Sequence, residues 1–99
     1  MNGAAAKGGR MPTISRFFGI TIRMYRDEHG VPHFHAYYAE HSAVIAIETL
    51  EVLSGRLPRR AMVLILEWAL MHRPELVENW RRARAAEPAL PIAPLDEEV

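Results

Sequence analysis

Between Gly55 and Pro58 the apolar residues of this chain change their spacing, and that switch constrains the fold more than any other feature. Before it, apolar and polar positions alternate. Phe18, Ile20, Ile22 and Met24 stand against Thr21, Arg23 and Tyr25; Phe34, Ala36 and Tyr38 stand against His33, His35 and Tyr37. A third run sets Ala43, Ile45 and Ile47 against Val44 and Ala46. Such alternation marks half-buried strands. It predicts strands over residues 18–25, 33–38 and 42–48, with a short fourth around Val52 and Leu53. After Pro58 the period becomes about 3.6 residues. A helix is predicted over residues 58–72, with Pro58 near its start, where the first amide needs no helical partner. Met62, Val63, Leu64, Ile65, Leu66, Trp68, Leu70 and Met71 cannot all face one sheet, so this helix is expected to be buried on more than one side. Arg73 and Pro74 interrupt it. A second helix is expected from Glu75, with Leu76, Val77 and Trp80 as its stripe and acids before arginines, as the helix dipole prefers. Strands followed by helices make an α+β domain: a small antiparallel sheet of three to four strands, then two helices packed on one face.

The flanks read differently. Residues 1–10 are small and glycine-containing without periodicity, and are expected to be a disordered leader before a domain that starts at Met11. The single domain is expected to cover residues 11–87. Pro88, Pro91 and Pro94 then predict an extended, proline-rich tail over residues 88–99, ending in an acidic tip of Asp96, Glu97 and Glu98.

A chain of 99 residues with 49% apolar content has ample material for one core. It has no cysteine, which excludes disulfides, thiolate metal sites and cysteine nucleophiles and fits a cytoplasmic location. No stretch approaches a membrane span. Twelve basic and twelve acidic residues cancel, so no global field calls for a membrane or for nucleic acid, and nucleic-acid binding stays open. There is no phosphate loop, serine-hydrolase elbow, dinucleotide fingerprint or helix-turn-helix of convincing spacing.

Chemistry concentrates in Val31-Pro32-His33-Phe34-His35-Ala36-Tyr37. Period-two geometry puts His33, His35 and Tyr37 on one strand face, and pairing with the preceding strand would add Arg23 and Tyr25. Three readings follow. In the first, the imidazoles are structural hydrogen-bonding groups. In the second, His33, His35, Arg23 and Tyr37 are catalytic, since histidine titrates near neutrality and arginine stabilises developing negative charge, the parts that metal-independent RNA cleavage requires. Or the face binds metal, with zinc the one cofactor the pattern admits and none otherwise expected. Zinc wants three or four ligands, so His29, Glu48 or His72 would have to join His33 and His35. Because Phe34, Ala36 and Tyr38 form the core-facing set, His33 and His35 are expected to point away from the helices. Trp68 and Trp80, with Ile92 and Leu95 on the tail, are candidate partner-binding anchors in a homo-oligomer or hetero-complex.

Short motifs then combine. Met11-Pro12-Thr13-Ile14-Ser15, Asp27 with His29, and Pro32-His33-Phe34-His35-Ala36 come first. Gly55, Leu57 and Pro58 follow, then Glu67-Trp68-Ala69 with His72, Glu75-Leu76, Asn79-Trp80, Ile92 and Pro94-Leu95. Together these resemble the bacterial domain-of-unknown-function 4160 family, from Met11 to about Leu95. Val31 stands where that family commonly has a second proline, and Leu50 where it usually has a turn glycine. The resemblance implies a small cytoplasmic protein without an assigned reaction. It also implies a companion of the domain-of-unknown-function 2442 type, in a toxin–antitoxin-like module acting by protein–protein binding. The ribonuclease and the metal-binding domain are the alternatives.

Overall fold

The computed structural model describes residues 12–26 and 28–95. The expected leader, Met11, Asp27 and the acidic tip lie outside the described residues. Five antiparallel strands pair in sequence order: β1 (Thr13–Phe17), β2 (Ile20–Arg23), β3 (His33–Tyr38), β4 (His41–Ala46) and β5 (Val52–Arg56). Two helices follow, α1 (Arg59–Met71) and α2 (Arg73–Arg84). The architecture is α+β, with five strands where three to four were expected. No helix of the described residues is long and apolar enough to cross a membrane.

The additional strand, β1, lies ahead of the predicted strand 18–25, which itself shortens to β2. Phe18 does not continue an inward row. It sits with Gly19 in a two-residue turn joining Phe17 to its register partner Ile20, with φ of 50° and 81° at the two turn residues. Positive φ at both positions gives the hairpin the turn twist that suits paired strands. Phe18 is therefore 49% exposed, while Ile20, Ile22 and Met24 are buried as their alternation predicts. At the far edge Gly55 approaches β4 so closely that a Cβ would fall on the Ser42 carbonyl and 2.8 Å from the Ala43 Cα. Leu50, in place of the expected turn glycine, adopts φ of 62°. Its amide bonds Ala46 O (2.9 Å) and its side chain packs on the core, so the turn closes despite the left-handed backbone.

Trp68 lies at the centre of the core with no exposed surface. Its ring lies 5.3 Å from that of Phe17, 6.0 Å from Phe34 and 5.6 Å from His72. On α1, Ala61, Ile65, Trp68 and Ala69 are buried, the one-sided spacing of an amphipathic helix. The expectation that α1 is covered on several sides fails. Val63, Leu70 and Met71 are exposed, because the sheet covers only one side of the helix. His72 caps both helices, ending α1 and starting α2. Pro74 does not break α2 but stands in its first turn, where its missing amide costs nothing. Arg73 ties that start to the β4–β5 connection, donating to Ile47 O (3.1 Å) and Glu48 O (3.0 Å).

Residues 85–95 carry no helix or strand, yet hydrogen bonds hold them to the domain. The buried Asn79 carboxamide donates to Leu90 O and accepts from Leu90 N, both at 2.8 Å. Ile92 N donates to Ile14 O (2.8 Å), and the Trp68 indole donates to Ala93 O (2.9 Å). Ile92 and Leu95 enter the same core as Trp68 and Trp80. All four residues expected to anchor a partner are thus buried within this chain.

Two stability changes follow. Phe18→Asn supplies the residue pair that this turn favours and removes an exposed side chain from left-handed backbone; it should stabilise the fold by about 1 kcal/mol. Asn79→Ala leaves both backbone groups of Leu90 without their partner and should destabilise by about 2 kcal/mol or more. Urea denaturation of each variant against the parent checks both signs.

Candidate metal centre

The loop between β2 and β3 returns the chain so that Glu28 faces the first residues of β3. His33 Nδ1 donates to Val31 O at 2.8 Å. A carbonyl can only accept, so the proton on Nδ1 is assigned and, in the neutral ring, Nε2 carries a lone pair. That Nε2 is in hydrogen-bond contact with Glu28 Oε1, and His35 Nε2 lies 3.4 Å from the same oxygen. One ligand atom from each of Glu28, His33 and His35 lies within 4.8 Å of the other two. Among the described residues no other group of three or more histidines and carboxylates meets that condition. Two imidazole nitrogens and a carboxylate oxygen converging this closely repel unless a proton or a metal ion sits among them.

Aromatic rings wall the cluster. Trp80 of α2 lies 5.0 Å from the His33 ring, the two histidine rings are 5.4 Å apart, and Tyr25 meets His35 edge-on at 4.4 Å. The expected orientation holds only partly. His33 is buried, because α2 passes the end of the sheet where β3 begins and lays Trp80 against it. His35 remains partly open, with a side chain 20% exposed.

Strand register gathers the rest of the expected face. Arg23 is the cross-strand partner of His35, and Thr21 that of Tyr37. The Arg23 guanidinium lies 5.3 Å over the Tyr37 ring, and the Tyr25 and Tyr37 hydroxyls share a hydrogen bond. Two expected metal ligands are elsewhere. His29 is exposed in the loop, outside the ligand group. His72 lies between the helices, its Nδ1 2.6 Å from Glu75 Oε1. Glu48, also considered, offers its backbone carbonyl to Arg73. Glu28 takes the place of all three. Its signal in the sequence is a single acid five and seven residues before the histidine pair, in a loop whose return path no local pattern specifies.

Burial raises the Glu28 carboxyl, but hydrogen bonds from His33 and His35 and their charge outweigh it and hold its pKa below the ordinary 4.5. Burial lowers His35 below its ordinary 6.5, with Glu28 opposing and His33 assisting. Tyr37 is pushed up to about 12, first by burial and then by the bond to Tyr25.

Residues 19–81 match the family model described as Domain of unknown function (DUF4160). No curated protein and no solved structure matches the chain.

The two lowered pKa values act in the same direction on stability. Unfolded His35 takes up its proton near 6.5 and folded His35 only at lower pH, so acidification below about pH 6.5 draws the protein towards unfolding. Glu28 adds to the loss as pH falls below 4.5 through its folded value. Urea midpoints should fall steadily from pH 7.5 to pH 4. A His35→Gln variant should lose less over the part of that range near pH 6, and an unchanged slope would show that His35 is not a source of it.

Proposed function

The chain belongs to the family described as Domain of unknown function (DUF4160), whose description names no activity, and from its own side chains we propose that it binds a divalent transition-metal ion through Glu28, His33 and His35. The observation that carries this is the convergence of one ligand atom from each of the three side chains. The bond from Nδ1 to the Val31 carbonyl turns His33 Nε2 towards the Glu28 carboxylate, and His35 Nε2 is turned to the same point. Metal-ligating histidines are commonly held by such a bond from the other ring nitrogen. Two imidazoles with one carboxylate suit zinc, iron, nickel or copper better than magnesium or calcium. Three protein ligands leave coordination positions for water or substrate, the pattern of a catalytic rather than a structural ion.

The metal-independent ribonuclease reading fits less well. It needs the two histidines to act separately, one as acid and one as base, whereas both imidazoles here address a single carboxylate oxygen. The reading as a toxin–antitoxin-like component that binds a small companion rests on a different surface. With Trp68, Trp80, Ile92 and Leu95 buried, such contact would fall to Val63, Leu70 and Met71 on α1 and Val77 on α2, all large apolar side chains in water. The metal centre and a companion are compatible, because these exposed residues are not ligands.

Calorimetric titration of metal-free protein with zinc tests the proposal. Binding at about micromolar Kd or tighter is expected, worth about 8 kcal/mol. Glu28→Gln and His35→Gln should each weaken it by about 10- to 100-fold, while His72→Gln leaves it unchanged. Affinity no better than about millimolar, or equal affinity in all variants, would refute the site.

A further inference from the structure

We propose that the sheet surface beside these ligands holds an oxyanion, the phosphate or carboxylate group of a substrate, with one oxygen on the metal and another on Arg23. This rests on the metal reading above. Thr13, Arg23 and His35 are successive cross-strand partners on β1, β2 and β3, so their side chains rise side by side from one face. Arg23 is held in that row from two directions. Its Nε donates to Thr13 Oγ1 (3.2 Å), and its guanidinium lies over the Tyr37 ring. Among the described residues no carboxylate pairs with Arg23, and Nε makes its one side-chain hydrogen bond. The terminal nitrogens of a positioned guanidinium are thus left with no described protein acceptor, next to the open histidine of the pair.

Charge and shape agree on what fits there. A divalent ion held by one carboxylate and two neutral imidazoles keeps a single net positive charge, and Arg23 adds another. Guanidinium donors form a planar fork that matches the paired oxygens of phosphate or carboxylate. The Tyr25 and Tyr37 hydroxyls bond to each other and, being neutral, compete with neither cation. A metal-bound ligand without negative charge would leave the Arg23 fork unmatched.

Cobalt(II) reports both events, since its visible bands appear on binding and shift when an inner-sphere ligand changes. The full chain, loaded with cobalt, is titrated with orthophosphate and separately with acetate. At least one anion should shift the bands at millimolar concentration or below, and the lower midpoint identifies which group the site prefers. Arg23→Gln should raise that midpoint about 10-fold or more with cobalt affinity unchanged, and Arg23→Lys should recover part of the loss. Band shifts with equal midpoints in Arg23→Gln and the parent overturn the proposal, as does a cobalt protein indifferent to both anions. A chain that develops no cobalt bands refutes the metal centre itself, and this inference with it.

Discussion

The burial of Trp68 is the constraint around which the rest of the molecule is organised. An indole of this size at the centre of a small domain must be enclosed on every side and must still find an acceptor for its N–H. Phe17 and Phe34 enclose it from the sheet, His72 from the break between the helices, and Ala93 O supplies the acceptor from the segment after α2. That last contact requires residues 88–95 to return across the domain. Asn79 makes the return specific, because its amide fits both backbone groups of Leu90. The histidine cluster depends on the same arrangement: once α2 is placed by these contacts, Trp80 closes over His33.

The cluster is built of groups that fit as neighbours only with a proton or a metal ion among them. A half-buried carboxylate facing two imidazole nitrogens is a costly arrangement, and the fold keeps it through a backbone carbonyl and the rings of Trp80 and Tyr25. The Val31 carbonyl holds the ring of His33, and Tyr25 meets that of His35 edge-on.

Much of the interior was legible because it obeys period two. Ile20, Ile22, Phe34, Ala36, Ala43 and Ile45 are buried as their alternation demands. β1 carries no clean alternation, for a physical reason. A bulge between Thr13 and Ser15 breaks its alternation, and Phe18 happens to continue the phase of Ile20 and Ile22 although it occupies a turn. Helical stripes announced that Trp68 and Trp80 would be covered but not by what, and the proline-spaced tail gave no sign that it was the cover. On the site face, alternation grouped His33, His35 and Tyr37, and hairpin pairing brought Arg23 to His35. Glu28 depends on the course of an irregular loop, and the burial of His33 on the path of a distant helix; neither leaves a local pattern.

Asn79 and Trp80 are consecutive residues, and a single turn of α2 therefore serves two distant parts of the molecule. The carboxamide grips Leu90 while the neighbouring indole lies against His33. A helix moves as a rigid body, so a displacement felt at one of these contacts is imposed on the other. Thermodynamic linkage makes the exchange symmetric: whatever binds more tightly when Trp80 is seated also tightens the docking of the tail, and by the same factor. Residues 88–95, which contribute no ligand, belong energetically to the surroundings of the histidines.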